Sequence, residues 1–592
     1  MNLRLNALAV VTGVVAGVGA ALFRSLIAFF HNLLFLGRLD LHYDALAHTD
    51  ASPWGAGIIA VPVIGAVAVA FLVKTFAPEA KGHGVPEVMH AIYYERGVIR
   101  PQVALIKSLA SSISIGSGGA IGREGPIIQI GAAFGSMVGR VVRVPEWEQL
   151  ALIACGAAGG IAATFNTPIG GLLFAVELML VEVSARTLVP VMIATGTATF
   201  LGRLFFGNAP SFTIPPLDLA EVSMAPASTW VAYVVLGLSM GVIATLFTRS
   251  IYAFEDLFDR IPGNYYTRHV LGMALVGVIM YALMARYGHY YVEGVGYAGI
   301  QDILDGAAPA ASVLLLLVGL KLLATSLTLG SGASGGVFSP ALFLGAGFGA
   351  AFAAAFGSVF PGVQVDVTSA AVIGMACMIG ASTGAATTAV VMIFEMTRDY
   401  NVIIPLILAV PLAFTVRRLL MSDTIYTLKL SRRGQTIPAS IQSNLYMMKS
   451  ALELIETPFA ELPASADLER ARELCRDPAR VPHVVLVADG GALAGVIPAS
   501  VLVEACRQRA RTTPLSSLAD RGFIVAENES SVLEVMAQLR SEASDNVVIV
   551  ADSGADEAHE VLGVITAEDL LRSTNLPSAL VMTRRTQREP ST

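Results

Sequence analysis

The sequence predicts an all-α polytopic membrane domain made of two related halves, followed by an α+β soluble tail. Three observations carry that prediction. The 592 residues are 55% hydrophobic, with a mean hydropathy of +0.67, outside the range of ordinary soluble domains. Charge is unevenly spread: residues 1–440 hold 24 Lys and Arg against 23 Asp and Glu, whereas residues 441–592 hold 14 against 22. Lastly, KSLASSISIGSGGAIGREGPIIQIGAAFG (107–135) and KLLATSLTLGSGASGGVFSPALFLGAGFG (321–349) match without gaps at 13 of 29 positions, 214 residues apart.

Apolar runs at 7–35, 55–76, 150–164, 229–247, 269–284, 311–329 and 402–414 approach or exceed the roughly 18 residues a helix needs to cross a hydrocarbon core of about 30 Å. Several are short and interrupted by glycine, which predicts tilted, broken helices rather than a regular bundle. The N-terminal run lacks the cleavage site of a secretory signal, and Met1 lies so near it that a missing cytosolic lead-in is expected. Cys155, Cys377, Cys475 and Cys506 show no metal-binding spacing and read as free or buried thiols, with no metal site. The expected division is a membrane domain over 1–433, with halves of roughly 1–210 and 220–433, and a linker over 434–455. Two tail repeats follow at 456–510 and 511–576, and a disordered end at 577–592.

The repeat matters for chemistry because each copy sets a glycine-rich stretch just before a helix. GREGP (122–126) opens the run from Ile127, and GGVFSP (335–340) opens the run from Ala341. GHGVP (82–86) is a third such turn, with proline near the first helical position. Helix N-termini carry unpaired N–H groups and the positive end of the dipole, so they attract anions. Backbone interrupted in this way at membrane depth is tolerated where it lines a pathway. Three such starts predict a site for a small anion built from backbone amides. Glu124, buried in GREGP, would compete with that anion for the same positive potential and can act as a tethered anion and gate.

GHGVP, GREGP and GGVFSP resemble the three signature segments of the CLC chloride channels and chloride/proton exchangers, and DTIYTLKL (423–430) resembles the segment that carries the family's anion-coordinating tyrosine. FNTPIGGLLFAVE (165–177) extends the resemblance, which spans 7–433. It implies a homodimer with one pore per subunit and antiparallel halves, in a plasma or inner membrane with the tail cytosolic. It implies Glu124 as the gate, and an anion site made by His83, Gly84, Arg123, Gly125, Val337, Phe338 and Tyr426. Chloride is the expected substrate alongside other small monovalent anions, because GREGP and Tyr426 differ from the fluoride-exporting pattern. The lipid bilayer is the other partner; an enzymatic role and nucleic-acid binding are not expected.

Two departures bear on mechanism. The first motif usually has serine where His83 stands. A neutral imidazole donates one hydrogen bond and a protonated one adds charge, so His83 is expected to add pH sensitivity, unless its ring points away and backbone alone lines the site. Exchangers of the family often read FxxEE where this chain reads Phe174-Ala-Val-Glu177-Leu178. Leu178 cannot carry a proton, which favours a passive, proton-gated channel over a chloride/proton antiporter. Glu177 and Glu182 remain as candidate proton carriers, Glu177 with a structural role as its other reading.

In the tail, VPHVVLVADGGALAGVIPASVLVEA (481–505) and NVVIVADSGADEAHEVLGVITAEDLLRS (546–573) repeat a β-branched run, a GVI strand and a helix. They resemble a pair of CBS domains. The resemblance implies an adenine nucleotide (ATP, ADP or AMP) held by Asp569 with Thr566 near phosphate. Val501 replaces the aspartate in the first copy. A folded module that binds nothing is the other reading, and no cofactor is required.

Overall fold

Within 3–566, the computed structural model describes every residue except Glu182, 215–225, Gln364, Thr436, 438–449, 456–457, 477–480, 489–491, 509–511, Glu529, 543–545 and 551–560. The chain divides into two units, Met1–Arg433 and Gly434–Thr592. Among its described residues the first contains helices and no strand. Its opening half contains α1 (Leu3–His31), α2 (Ala60–Phe76), α3 (Val85–Tyr94), α4 (Pro101–Gly116), α5 (Glu124–Val142), α6 (Glu146–Phe165), α7 (Pro168–Leu178) and α8 (Ala185–Phe206). The second half repeats that order of long and short helices. It runs α9 (Ala227–Arg260), α10 (Tyr265–Tyr287), α11 (Tyr297–Leu304), α12 (Ala311–Ser331), α13 (Phe338–Val359), α14 (Val367–Thr383), α15 (Ala386–Thr397) and α16 (Ile403–Leu420). A short α17 (Thr427–Ser431) ends the unit. Among the described residues ten helices are long and apolar enough to cross a membrane. The protein is an integral membrane protein.

The repeat is inverted, and two glutamates show it. Glu177 at the end of α7 accepts from the N–H groups of Thr387 and Thr388, at 3.0 and 2.7 Å, at the start of α15. Glu395 near the end of α15 accepts from Ile169 and Gly170 N–H, at 3.1 and 2.6 Å, at the start of α7. Equivalent helices that cap each other's N-termini must run antiparallel. Each carboxylate also meets the positive end of the facing helix.

Glycines hold the layers together. Equivalent positions Gly131 and Gly345 sit where a Cβ would lie 2.1 and 2.4 Å from the carbonyl oxygens of Gly156 and Gly374. Gly135 and Gly349 approach Leu152 O and Ala370 O in the same way, at 2.1 and 2.2 Å. So α5 packs on α6, and α13 on α14, backbone to backbone. The glycines shared by GAAFG and GAGFG are therefore packing contacts, not a by-product of biased composition. Buried Lys107 and Lys321 are a second matched pair. Lys107 Nζ donates to Ala80 O and Gly82 O at 3.0 and 2.7 Å. Lys321 Nζ donates to Val292 O and Gly294 O, both at 2.9 Å. Each amine pins the turn ahead of a short helix, α3 or α11.

Among its described residues the second unit holds two three-stranded sheets of one topology. In the first, β1 (Phe459–Pro463) is parallel to β2 (His483–Val487), which is antiparallel to β3 (Leu493–Ile497). In the second, β4 (Ile524–Glu527) is parallel to β5 (Asn546–Val550), which is antiparallel to β6 (Val561–Thr566). Val485 and Val496 of one sheet share an apolar cluster with Val548 and Val564 of the other.

Candidate functional site

Four helix starts converge at the centre of the membrane unit: those of α3, α5, α11 and α13. The sequence singled out three. The fourth, at Tyr297, follows GVG (294–296), which mirrors GHG (82–84) at a spacing of 212 rather than 214. Gly84 and Gly296 are the N-caps of α3 and α11, with φ of +84° and +77°, a region that L side chains avoid and glycine enters freely. The turns are stitched by backbone hydrogen bonds. Gly82 N–H donates to Ala333 O at 2.9 Å and Gly335 N–H to Gly82 O at 3.2 Å. Gly122 and Gly336 exchange both N–H···O bonds, at 2.7 and 2.6 Å. Gly125 permits this closeness, since a Cβ there would lie 2.1 Å from His83 O.

Glu124, the first residue of α5, is 1% exposed. Its Oε1 accepts from the Tyr297 hydroxyl at 2.6 Å and from Ser339 Oγ. Its Oε2 accepts from Ser339 N–H at 3.3 Å. The carboxylate thus lies at the N-terminus of α13, where orphan N–H groups would receive an anion. A buried carboxylate costs several kcal/mol unless compensated; the two hydroxyls, the amide and the helix dipole supply that compensation here. Arg123 is not its ion partner: the guanidinium lies 5.4 Å from the centroid of the Tyr297 ring, and its Nε has no hydrogen-bond partner.

The other expected residues lie in these helix starts and just before α17. Val337 caps α13 and Phe338 begins it, both buried. Tyr426, 2% exposed, lies just before α17, with its ring 6.1 Å from that of His83. Arg417 fixes this approach by donating to the carbonyls of Ala381, Met421 and Ser422, at 2.8, 3.2 and 3.1 Å. His83 is buried. Its Nε2 is 3.4 Å from the Tyr252 hydroxyl, and its Nδ1 has no hydrogen-bond partner. On α3, Glu87 pairs with Lys429 and Arg433 at 3.1 and 2.8 Å. Burial pushes its carboxyl up, but the two cations outweigh burial and hold it at about 2. The clasp that ties α17 to α3 is therefore present above the ordinary carboxylate range and lost only as pH falls through about 2.

Both oxygens of Glu177 are engaged in the α15 cap, and Thr388 Oγ1 adds a bond of 2.5 Å. Glu177→Ala is expected to lower stability by about 1–2 kcal/mol, read as a lower thermal midpoint in detergent. An unchanged midpoint would rule out the cap. Glu182 and Asp569 lie outside the described residues, and Thr566 is the last residue of β6. Sequence reasoning missed Tyr297 and Ser339. Ser339 is inside the quoted GGVFSP motif at the position equivalent to Gly125, whereas Tyr297 was hidden by the two-residue slip.

Residues 65–418 match the family model described as voltage gated chloride channel, and residues 515–575 match the CBS domain. A chloride channel protein named ClcB-like from Ralstonia nicotianae is 33% identical over 408 residues, covering 67% of this chain and 91% of that protein. The H(+)/Cl(-) exchange transporter ClcA of Vibrio cholerae is 35% identical over 368 residues, covering 61% and 76%. Among solved structures, a slow cyanobacterial Cl-/H+ antiporter superposes with a TM-score of 0.63 at 25% identity, over 73% of this chain and 98% of its own. A eukaryotic CLC transporter shares the fold over 96% of this chain and 98% of its own, with a TM-score of 0.57 at 20% identity.

Proposed function

Because the chain belongs to the voltage gated chloride channel family, we propose that it carries chloride across the membrane along a pathway closed by Glu124. The observation that carries this reading is the Glu124 carboxylate bonded at the α13 N-terminus. While ionised it fills the place of an anion. Protonation removes its charge, and the helix start then favours chloride. His83, Gly84, Arg123, Gly125, Val337, Phe338 and Tyr426 form the anion site in this reading, and other small monovalent anions share it. One pathway per subunit of a homodimer belongs to the same reading, as does control of the cytosolic tail by an adenine nucleotide near Thr566.

Exchange of chloride against protons is the mode we favour, on the names of the Vibrio relative and the cyanobacterial structure. Passive flow is the second reading, supported by Leu178 and by the capping role of Glu177. Reconstituted protein under opposed chloride and pH gradients separates the two. Exchange predicts a reversal potential that moves when only the pH gradient changes. Reversal at the chloride equilibrium potential, whatever the pH gradient, overturns exchange in favour of passive flow.

A further inference from the structure

A buried carboxylate near the gate, Glu293, has no part in the pathway described so far. Its side of the membrane follows from the chain path. Arg433, after α17, holds Glu87 on α3, and Arg432 pairs with Asp256 near the end of α9, so these ends share the cytosolic side with the tail. From there α10 crosses, starting at Tyr265, and delivers the 288–296 turn to the outer side. The loop after α1 meets that turn: Ser52 N–H donates to the Tyr290 hydroxyl at 3.0 Å.

Glu293 lies in this turn and is 13% exposed. Its Oε1 accepts from Thr49 Oγ1 and lies 4.0 Å from His31 Nε2. Thr49 Oγ1 is itself 3.2 Å from that nitrogen. Glu293 Oε2 is buried with no hydrogen-bond partner. Tyr43, His48, Tyr291, Glu293 and Tyr297 line one small cavity, and the Tyr297 hydroxyl donates to Glu124. The titratable groups around Glu293 are Lys321 from α12, His31 from α1, Tyr43 and His48 from the outer loop, Tyr290 and Tyr291 from its own turn and Tyr297 from α11, with Asp44 and Arg123 facing Tyr43. Lys321 is held by two carbonyls of the turn. Burial pushes the Glu293 carboxyl up to about 7, although the Thr49 bond and the Lys321 charge pull the other way.

We propose that Glu293 is an outer proton-binding station that takes up protons from the extracellular solution and passes them through this cavity and Tyr297 to Glu124. The step moves one proton and no electrons. The Tyr297 hydroxyl gives its proton to the Glu124 carboxylate and regains one from the cavity side, so the phenol ends unchanged while Glu293 returns to its ionised form. The proposal rests on Glu124 being the gate of the transport reading above.

The test is chloride efflux from liposomes at fixed internal pH, with external pH varied about two units on either side of neutrality. The wild-type protein is expected to show a rise in flux as external pH falls through about 7. Glu293→Gln should lose that step, leaving less than about a twofold change across the range, while Glu293→Asp keeps a step at a shifted pH. A Glu293→Gln protein that transports chloride with the wild-type external profile overturns the proposal. Infrared difference spectra supply a readout independent of transport. A protonated-carboxyl band that titrates near neutrality in the wild type and is missing in Glu293→Gln supports the station; its absence from the wild type overturns it. Wild-type protein that moves no chloride would count against the transport reading, and the infrared titration would still decide whether Glu293 binds the proton.

Discussion

Glu124→Gln is expected to abolish most of the dependence of chloride flux on pH and to raise flux at neutral pH by about tenfold, equivalent to about 1.4 kcal/mol. The carboxamide has nearly the shape of the carboxylate and can still accept from Ser339 and Tyr297, so the fold around it should persist. What it lacks is charge. An ionised Glu124 holds the positive end of α13 against an incoming anion, whereas an amide competes only weakly for the same donors. Efflux over a pH series, with chloride binding by calorimetry on the same preparations, measures both effects. A Glu124→Gln protein with the wild-type pH profile would mean that the controlling proton binds elsewhere.

Gly125→Ala should have the largest effect on folding. The added methyl would lie 2.1 Å from His83 O, 3.1 Å from Gly336 Cα and 3.2 Å from His83 C, all backbone atoms that cannot rotate away. Overpacking of this kind costs about 3 kcal/mol or more. The expected result is a large fall in thermal midpoint, or loss of folded protein on size exclusion. Gly319→Ala is the matched control. It lies inside α12 with nothing within 4 Å of its added Cβ, so it should be neutral or stabilising by roughly 0.5–1 kcal/mol. Equal damage from both substitutions would contradict the steric account.

Much of the fold was legible because duplicated sequence preserves the residues that geometry constrains most. Lys107 and Lys321 recur because each clamps a turn, and Gly131 and Gly345 recur because a methyl at either would strike the facing helix. That Glu177 and Glu395 cap each other's helices was not visible, because the donors lie more than 200 residues away in the chain. The GVG turn was missed for a related reason: the two-residue slip between spacings of 212 and 214 breaks an ungapped comparison where the loops differ in length. Tyr297 was lost with it, and with Tyr297 one of the two hydroxyl donors to Glu124. His83 was recognised as a departure, but its neighbour Tyr252, on α9, is brought to it by tertiary packing alone.

The paired bonds between Gly122 and Gly336, with those joining Gly82 to Ala333 and Gly335, have a kinetic consequence. Backbone tied at four points does not spread to let an ion through without breaking several bonds at once. The soft coordinates left are the torsions of the Glu124 side chain, whose rotation needs no helix movement on the microsecond-to-millisecond scale. Opening on such a frame is therefore paced by the release of hydrogen bonds and the arrival of a proton, with the scaffold standing still.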